Sequence, residues 1–250
     1  MLIAVDIGNS RTVSGQLRGQ KVLRRSAIPT RNLRTLSQAR RWAQALKKAW
    51  GGPDTVVSSV VPGVDSNVKR ALREAFQVAP LFVDVKKDPG LPVHYKKPSE
   101  IGADRVVNAL AAKTLYGAPV IVVDYGTATT FDIVDAQGGY KGGVILPGVG
   151  ISLQALHEKT AKLPLIPFAK VNKPIGLTTQ EGIRSGIYFG TRGATREILQ
   201  GIRKQLGKAA PAVATGGWCG VFRGSPIFRH INPDLTLIGL FLYWNERNHG

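Results

Sequence analysis

Apolar positions along the chain change their spacing several times, and each change marks a new element. Residues 2–8, LIAVDIG, are apolar apart from Asp6, the pattern of a buried strand running into a turn. Residues 11–28 alternate enough to supply two more strands, with Gly19 as the hairpin turn between them. Ala39, Trp42, Ala43, Leu46, Ala49 and Trp50 then repeat with the period of a helix, whose other face carries Arg40, Arg41, Lys47 and Lys48. Thr35 is placed to cap that helix with Gln38 as its capping-box partner, and Gly51-Gly52-Pro53 ends it. A strand over 55–61, a helix over 65–76, a strand over 80–84, a loop over 86–100 and a helix over 104–116 follow. Next come strands over 119–124, 127–135 and 140–146, then helices over 150–162 and 179–206. Gly186 and Gly190 sit inside the longer helix at some cost. A strand over 211–215 and a helix over 234–246, capped from Asn232 or Asp234, complete the pattern. The order predicts an α/β fold, a mixed sheet with helices against it.

Two strand ends look alike. The first runs into Asp6-Ile7-Gly8-Asn9-Ser10 and the strand over 119–124 into Asp124-Tyr125-Gly126-Thr127, an offset of 118 residues. Both lead into further β-rich sequence. An internal duplication predicts two similar lobes, 1–117 and 118–250, facing each other across a cleft. D-x-G is also a common turn, so spacing alone leaves coincidence open.

Charge changes the picture next. Lys and Arg number 34 against 16 Asp and Glu, a formal net charge of +18. Such a balance suits anionic partners: nucleic acid, an anionic membrane or anionic small molecules. Residues 1–50 hold 11 basic residues and one acid, Asp6. The expectation for that face is at most weak, non-specific nucleic-acid binding that salt disrupts. A single cysteine, Cys219, excludes an intrachain disulfide and a cysteine zinc site. No apolar run approaches the roughly 20 residues of a membrane-spanning helix. The opening MLIAVDIGNSRT lacks a basic stretch before its apolar run, so no secretory signal is predicted and the expected compartment is the cytoplasm.

Four acids, Asp6, Asp104, Asp124 and Asp132, sit beside glycine or within apolar strands, where surface acids rarely fall. Asp6 at a strand end can hold Mg²⁺, directly or through water. Gly8 lets the backbone approach a phosphate that the following N–H and hydroxyl groups can bind. The competing reading is a β-turn with an Asx hydrogen bond. Asp124 with Thr127, Thr129 and Thr130 can bind a cation and a phosphate tail together; a threonine-rich hairpin is the alternative. Two acidic turns favour phosphate and metal, because a duplicated structural turn need not keep both acids. Gly102-Ala103-Asp104-Arg105 opens a helix, where Asp104 is either a cap or a general base beside a substrate-binding arginine. Gly142-Gly143, Pro147-Gly148 and Thr215-Gly216-Gly217 suit a nucleotide or tight turns. The P-loop, G-x-G-x-x-G and G-x-S-x-G motifs are absent, and four scattered histidines make a histidine-based site improbable.

Together, DIGNS, Y-x-x-P-x-x-x-GADR, VDYGTATTFD and GGVILPG resemble the bacterial type III pantothenate kinases. Leu163-Pro164, IGLTTQEGIRSG at 175–186, ATGG at 214–217 and the closing PDLTLIGL extend the resemblance, in order, over nearly the whole chain. It implies two duplicated ribonuclease-H-like lobes of the actin-like ATPase fold. It also implies ATP-dependent phosphorylation of the 4′-hydroxyl of pantothenate, the first step toward coenzyme A, by a homodimer that needs Mg²⁺ and a monovalent cation, K⁺ or NH₄⁺. Residue by residue, Asp6, Ile7, Gly8, Asn9, Ser10, Arg11, Thr12 and Val13 fall on the phosphate-binding turn, with Asp6 toward Mg²⁺. Tyr95, Gly102, Ala103, Asp104, Arg105 and Thr179 fall on pantothenate-binding positions, and Asp104 on the proton acceptor. Asp124 matches the monovalent-cation ligand and Thr127 an ATP contact. Ser10, Gly182 and Ile238 depart from the family's usual threonine, alanine and acid without removing a proposed catalytic group. The alternative is a regulatory or nucleic-acid-binding protein on an inactive kinase fold, suggested by the +18 charge.

Overall fold

The computed structural model describes residues 1–207 and 209–249. The chain forms two compact units: Met1–Leu115 with the segment from Asp234 onward, and Tyr116–Pro233.

In the first unit, β1 (Leu2–Ile7), β2 (Arg11–Arg18), β3 (Lys21–Pro29), β4 (Asp54–Ser59) and β5 (Leu81–Phe82) form one sheet in the order β3-β2-β1-β4-β5. β1 is antiparallel to β2 and parallel to β4. Parallel neighbours need a crossover, which α1 (Leu36–Trp50) provides between β3 and β4 and α2 (Pro62–Phe76) between β4 and β5. The capping box is present: Thr35 Oγ1 accepts from Gln38 N at 3.3 Å, and Thr35 N donates to Gln38 Oε1 at 3.2 Å. Side chains alternate along a strand. Ile3, Val5 and Ile7 therefore join Ala39, Ala43, Val68 and Leu72 of α1 and α2 in one core. Leu2, Ala4 and Asp6 point to the opposite face, where α6 (Leu235–His249) packs on β1 and β4. α3 (Ala103–Tyr116) lies against α6.

The second unit repeats this plan. β6 (Val120–Tyr125), β7 (Ala128–Val134), β8 (Tyr140–Pro147), β9 (Ala212–Thr215) and β10 (His230–Ile231) are ordered β10-β9-β6-β7-β8. Read from β1 and from β6, the two sheets have the same order and directions, with β6 antiparallel to β7 and parallel to β9. The duplication read from two turns thus extends to whole sheets. α4 (Val149–Glu158) and α5 (Thr179–Leu206) contribute to its core. Tyr125 stacks there on Phe222 with ring centroids 4.4 Å apart, and its hydroxyl bonds to Thr195 Oγ1 at 2.8 Å.

Differences from the sequence reading have local causes. α2 starts at Pro62, ahead of 65, because proline at a first helical position gives up an N–H that would have no partner. α4 stops at Glu158, short of 162: Thr160 Oγ1 donates to Leu156 O at 2.6 Å and accepts from Leu163 N at 3.3 Å, replacing the helical ladder. β10 has two residues, too few to show a period. The last helix, placed with 118–250 by the duplication, instead belongs to the first unit. Its apolar residues Leu235, Leu237, Leu240 and Tyr243 are buried.

Gly239 of α6 touches the Val107 carbonyl of α3 so closely that a Cβ would overlap both its carbon and its oxygen. Gly239→Ala must push two backbones apart, at a cost of about 1–3 kcal/mol or more. At roughly 2–4 °C per kcal/mol for a chain of this size, thermal denaturation should show a clear drop in Tm. Gly15→Ala, whose Cβ meets the end of the Leu237 side chain at 2.7 Å, should cost less. Equal Tm values for Gly239→Ala and the parent would rule out this crossing.

Candidate active site

Asp6 lies at the carboxyl end of β1, directly beside Ser58 in the parallel register with β4. Ser58 Oγ donates to Asp6 Oδ1 at 2.7 Å. The turn beyond Asp6 is tied at both ends. Gly8 N donates to Arg11 O at 3.1 Å, Thr30 Oγ1 donates to Gly8 O at 2.6 Å, and Thr30 N donates to Ser10 O at 3.1 Å. Asn9, Ser10 and Arg11 are exposed on this fixed turn. Ile7 is buried in the core, and the buried Thr12 shares a 3.0 Å hydrogen bond with Thr30 Oγ1. At those two positions only the backbone could meet a phosphate. Val13 pairs with Asp6 across the β1–β2 ladder.

Asp104 opens α3, on the face of the sheet that Asp6 shares. Its Oδ1 accepts from Arg105 N at 2.8 Å. Gly102 packs against this carboxylate: a Cβ there would overlap Asp104 Oδ1 and lie 3.1 Å from Val60 Cγ1. Glycine at 102 is therefore a packing requirement. Arg105 is buried. Burial raises the Asp6 carboxyl above the usual carboxylate range, and the charge of Asp104 raises it further, against lowering by the Ser58 hydrogen bond and the charge of Arg25. Asp104 is raised as well, by burial, against lowering by the N–H and guanidinium of Arg105. Two acids under one roof, each pushed toward its proton, make a site that favours positive charge.

Tyr95 is half-buried on the loop that leads to Gly102. The start of that loop is clamped to α6. Tyr243 Oη donates to Asp88 O and accepts from Asp84 N, both at 3.1 Å. The Arg247 guanidinium sits 3.4 Å above the Tyr243 ring and pairs with the Asp88 carboxylate.

In the second unit Asp124 holds the place of Asp6, fifth in its strand, beside Thr215 of β9. The turn is again closed by a glycine N–H, Gly126 N to Ala128 O at 3.1 Å. Thr215 Oγ1 is buried and has no hydrogen-bond partner among the described residues. Gly216 has φ +87°, a left-handed conformation, and a Cβ there would overlap Asp124 Oδ1. A carboxylate, an uncommitted hydroxyl and a glycine that leaves room beside them form a hard-oxygen set that fits a simple cation. Burial raises the Tyr125 hydroxyl above its ordinary range, so Tyr125 serves as a neutral neighbour. Thr127 is exposed on the turn; Thr179 is exposed as the first residue of α5, after the cap Thr178. Asp132 is wholly buried and accepts from Tyr140 Oη at 2.8 Å and Thr130 Oγ1 at 3.2 Å, which makes it a core residue.

Sequence reasoning missed Ser58 and Thr30, and it noted Thr215 only within Thr215-Gly216-Gly217, as suiting a nucleotide or a tight turn and not as the partner of Asp124. The signal for Ser58 and Thr215 was a hydroxyl inside an apolar strand, TVVSSVV and AVAT. Their facing acids come from strand pairing, which sequence order does not give.

A family described as type III pantothenate kinase matches residues 2–201. A type III pantothenate kinase from Thermomicrobium roseum is 39% identical over 248 residues, covering 96% of this chain and 95% of that protein. One from Koribacter versatilis is 44% identical over 194 residues, covering 77% and 70%. Among solved structures, a Listeria monocytogenes protein assigned as an N-acetylmannosamine kinase superposes with a TM-score of 0.57 at 12% identity, covering 99% of both chains. That likeness shows the fold alone, an α/β architecture shared with that protein.

The repulsion between Asp6 and Asp104 sets a stability prediction. A carboxyl with a raised folded-state pKa holds more protons folded than unfolded, so its contribution to stability falls as pH rises out of the ordinary carboxylate range. Asp104→Asn removes one of the two charges and keeps an oxygen for Arg105 N. It should raise Tm near neutral pH by roughly 2–4 °C, the worth of about 1 kcal/mol in a chain of this size. The gain should shrink toward about pH 4, where carboxyls protonate anyway. A variant that melts at or below the parent at neutral pH would contradict this electrostatic picture.

Proposed function

We propose, from the premise that this chain belongs to the type III pantothenate kinase family, a division of labour among its residues. The reaction is ATP-dependent phosphorylation of pantothenate to 4′-phosphopantothenate, the first step of coenzyme A biosynthesis. The reading as a regulatory protein on an inactive kinase fold is not favoured: the relatives are named as kinases, and Asp6, Asp104 and Asp124 all stand. The observation that carries the residue assignments is the convergence of Asp6 and Asp104 on one face of the first sheet.

Phosphoryl transfer asks a protein mainly for positioning and charge neutralisation. The turn from Gly8 to Arg11, fixed by Thr30, presents backbone N–H groups and exposed polar side chains to the ATP phosphates. Thr127 adds a hydroxyl for ATP. Asp6 is the residue for Mg²⁺, which when bound supplies positive charge at the phosphates. The raised pKa of Asp6 supports this, since a carboxylate beside a second acid is relieved by a cation. Asp124 and Thr215 are the residues for K⁺ or NH₄⁺.

Pantothenate is held by Tyr95, by Gly102 to Arg105 and by Thr179. Arg105 supplies a guanidinium for its carboxylate. Asp104 orients the 4′-hydroxyl and accepts its proton as the phosphoryl group is transferred. A carboxyl whose pKa lies above the ordinary range is a better proton acceptor than a surface aspartate.

Self-association as a homodimer is supported by apolar side chains on the second unit: Ile145, Leu165, Ile175 and Leu177 are 63%, 59%, 80% and 91% exposed. No helix among the described residues is long and apolar enough to cross a membrane, and a cytoplasmic location agrees with the substrates.

The direct test is ADP release on adding pantothenate. Asp104→Asn should lower kcat by roughly 10²–10⁴-fold, the usual worth of general base catalysis, while ATP binding measured by calorimetry survives. Near-parental turnover in the folded variant would remove Asp104 from this role. At constant ionic strength, exchanging Na⁺ for K⁺ or NH₄⁺ should raise the parent's activity, and Asp124→Asn should blunt that response. Equal parental rates in all three salts would argue against a cation at Asp124.

A further inference from the structure

A groove of about 710 Å³ runs in the first unit between β3 and the flank of α1. Neither the proposed phosphate turn nor the pantothenate residues line it. A helix turns by about 100° per residue, so Trp42, Ala45 and Ala49 share one strip of α1, with Trp50 at its inner edge. Arg41 and Lys48, seven residues apart, share the strip's outer edge. Ala45, Ala49, Arg41 and Lys48 are exposed, and the two indoles are half-buried. Across the groove, Arg24 of β3 reaches the helix, where its Nη1 donates to Ala49 O at 2.7 Å.

Gln44 lies on the helix between Arg41 and Lys48, and Ser26, Asn32 and Gln38 also line the groove, but the strip of α1 between Arg24 and that edge is alanines and indoles. The apolar strip and the cationic edges call for one ligand that is flat and apolar on its faces and anionic along its length. A nucleic-acid single strand has that chemistry, because its base faces are open; a duplex buries them, and an acidic peptide has no faces to stack. The eight-residue separation of Trp42 and Trp50 spans about 12 Å of helix. Three or four bases stacked at about 3.4 Å fill that length.

We propose that this groove binds single-stranded nucleic acid without regard to sequence. Bases stack on Trp42 and Trp50, and phosphates lie along Arg24, Arg41 and Lys48. This binding is additional to the kinase activity and does not depend on the catalytic assignments.

Strand preference separates the proposal from simple charge attraction. A surface that reads only phosphates favours a duplex, which carries the denser charge. A stacking groove favours the single strand. Fluorescence anisotropy with labelled oligo-dT and a duplex of equal length, at matched salt, should show tighter binding of the single strand, weakening steeply between about 50 and 200 mM salt. The double variant Ala45→Glu with Ala49→Glu places two negative charges in the groove at exposed, helix-compatible positions. It should weaken oligo-dT binding by about ten-fold or more, with pantothenate phosphorylation and Tm as the parent's. Trp42→Phe, which keeps a ring, should weaken binding less than Trp42→Ala.

Duplex binding equal to or tighter than oligo-dT, or no oligonucleotide binding at low salt, would overturn the proposal. So would oligo-dT binding unchanged by the two glutamates, or a glutamate-rich peptide competing as well as oligo-dT.

Discussion

A carboxylate at the end of a buried parallel strand is the constraint around which each unit is organised. The strand must be apolar to fill the sheet, so the acid at its end is partly stripped of water, and stripping a charge is costly unless something answers it. The neighbouring parallel strand supplies a hydroxyl in register, Ser58 for Asp6 and Thr215 for Asp124. The turn that follows is closed by a glycine N–H in both units. Strand, acid, hydroxyl and turn therefore recur as a set, and the set fixes where backbone N–H groups and exposed hydroxyls can meet a phosphate.

The two copies answer the charge differently. In the first unit Ser58 is already committed to Asp6, yet a second acid, Asp104, is brought onto the same face by α3 and makes the deficit worse. Such an arrangement opposes folding at neutral pH and is the sort of local cost that functional sites carry. In the second unit the hydroxyl of Thr215 has no partner among the described residues, and Gly216 leaves space beside Asp124. One acid is tuned by another acid, the other by an open oxygen set. Under the proposed assignments both copies face a cation, Asp6 toward Mg²⁺ and Asp124 toward K⁺ or NH₄⁺, and only the first has a second acid, Asp104, beside it.

Much of this was legible in the sequence because it is local. The Thr35–Gln38 capping box, the glycines after Asp6 and Asp124, and the helix beginning at Gly102-Ala103-Asp104 all depend on residues a few positions apart. The parts that escaped are non-local. Ser58 becomes a partner of Asp6 only when β4 pairs with β1, and Thr30 ties the turn at Gly8 only when β3 returns beside β2. The last helix was misplaced for a related reason. Its apolar pattern says that it is buried, but not against which sheet, and the duplication assigned it by sequence order. The close fit of Gly239 on Val107 decides the matter, and no periodicity reports a contact between residues so far apart in the chain.

That helix also connects packing to function. α6 covers the face of the first sheet that carries Asp6 and lies against α3, which carries Asp104. Near its end, Tyr243 and Arg247 clamp the loop at Asp84 and Asp88, from which the chain runs on to Tyr95 and Gly102. One helix from the far end of the sequence thus supports the acid pair from below and the proposed substrate loop from the side. Packing that lies outside the proposed ligand contacts thus provides the burial that raises both carboxyls, with the charge of Asp104 adding to the rise at Asp6.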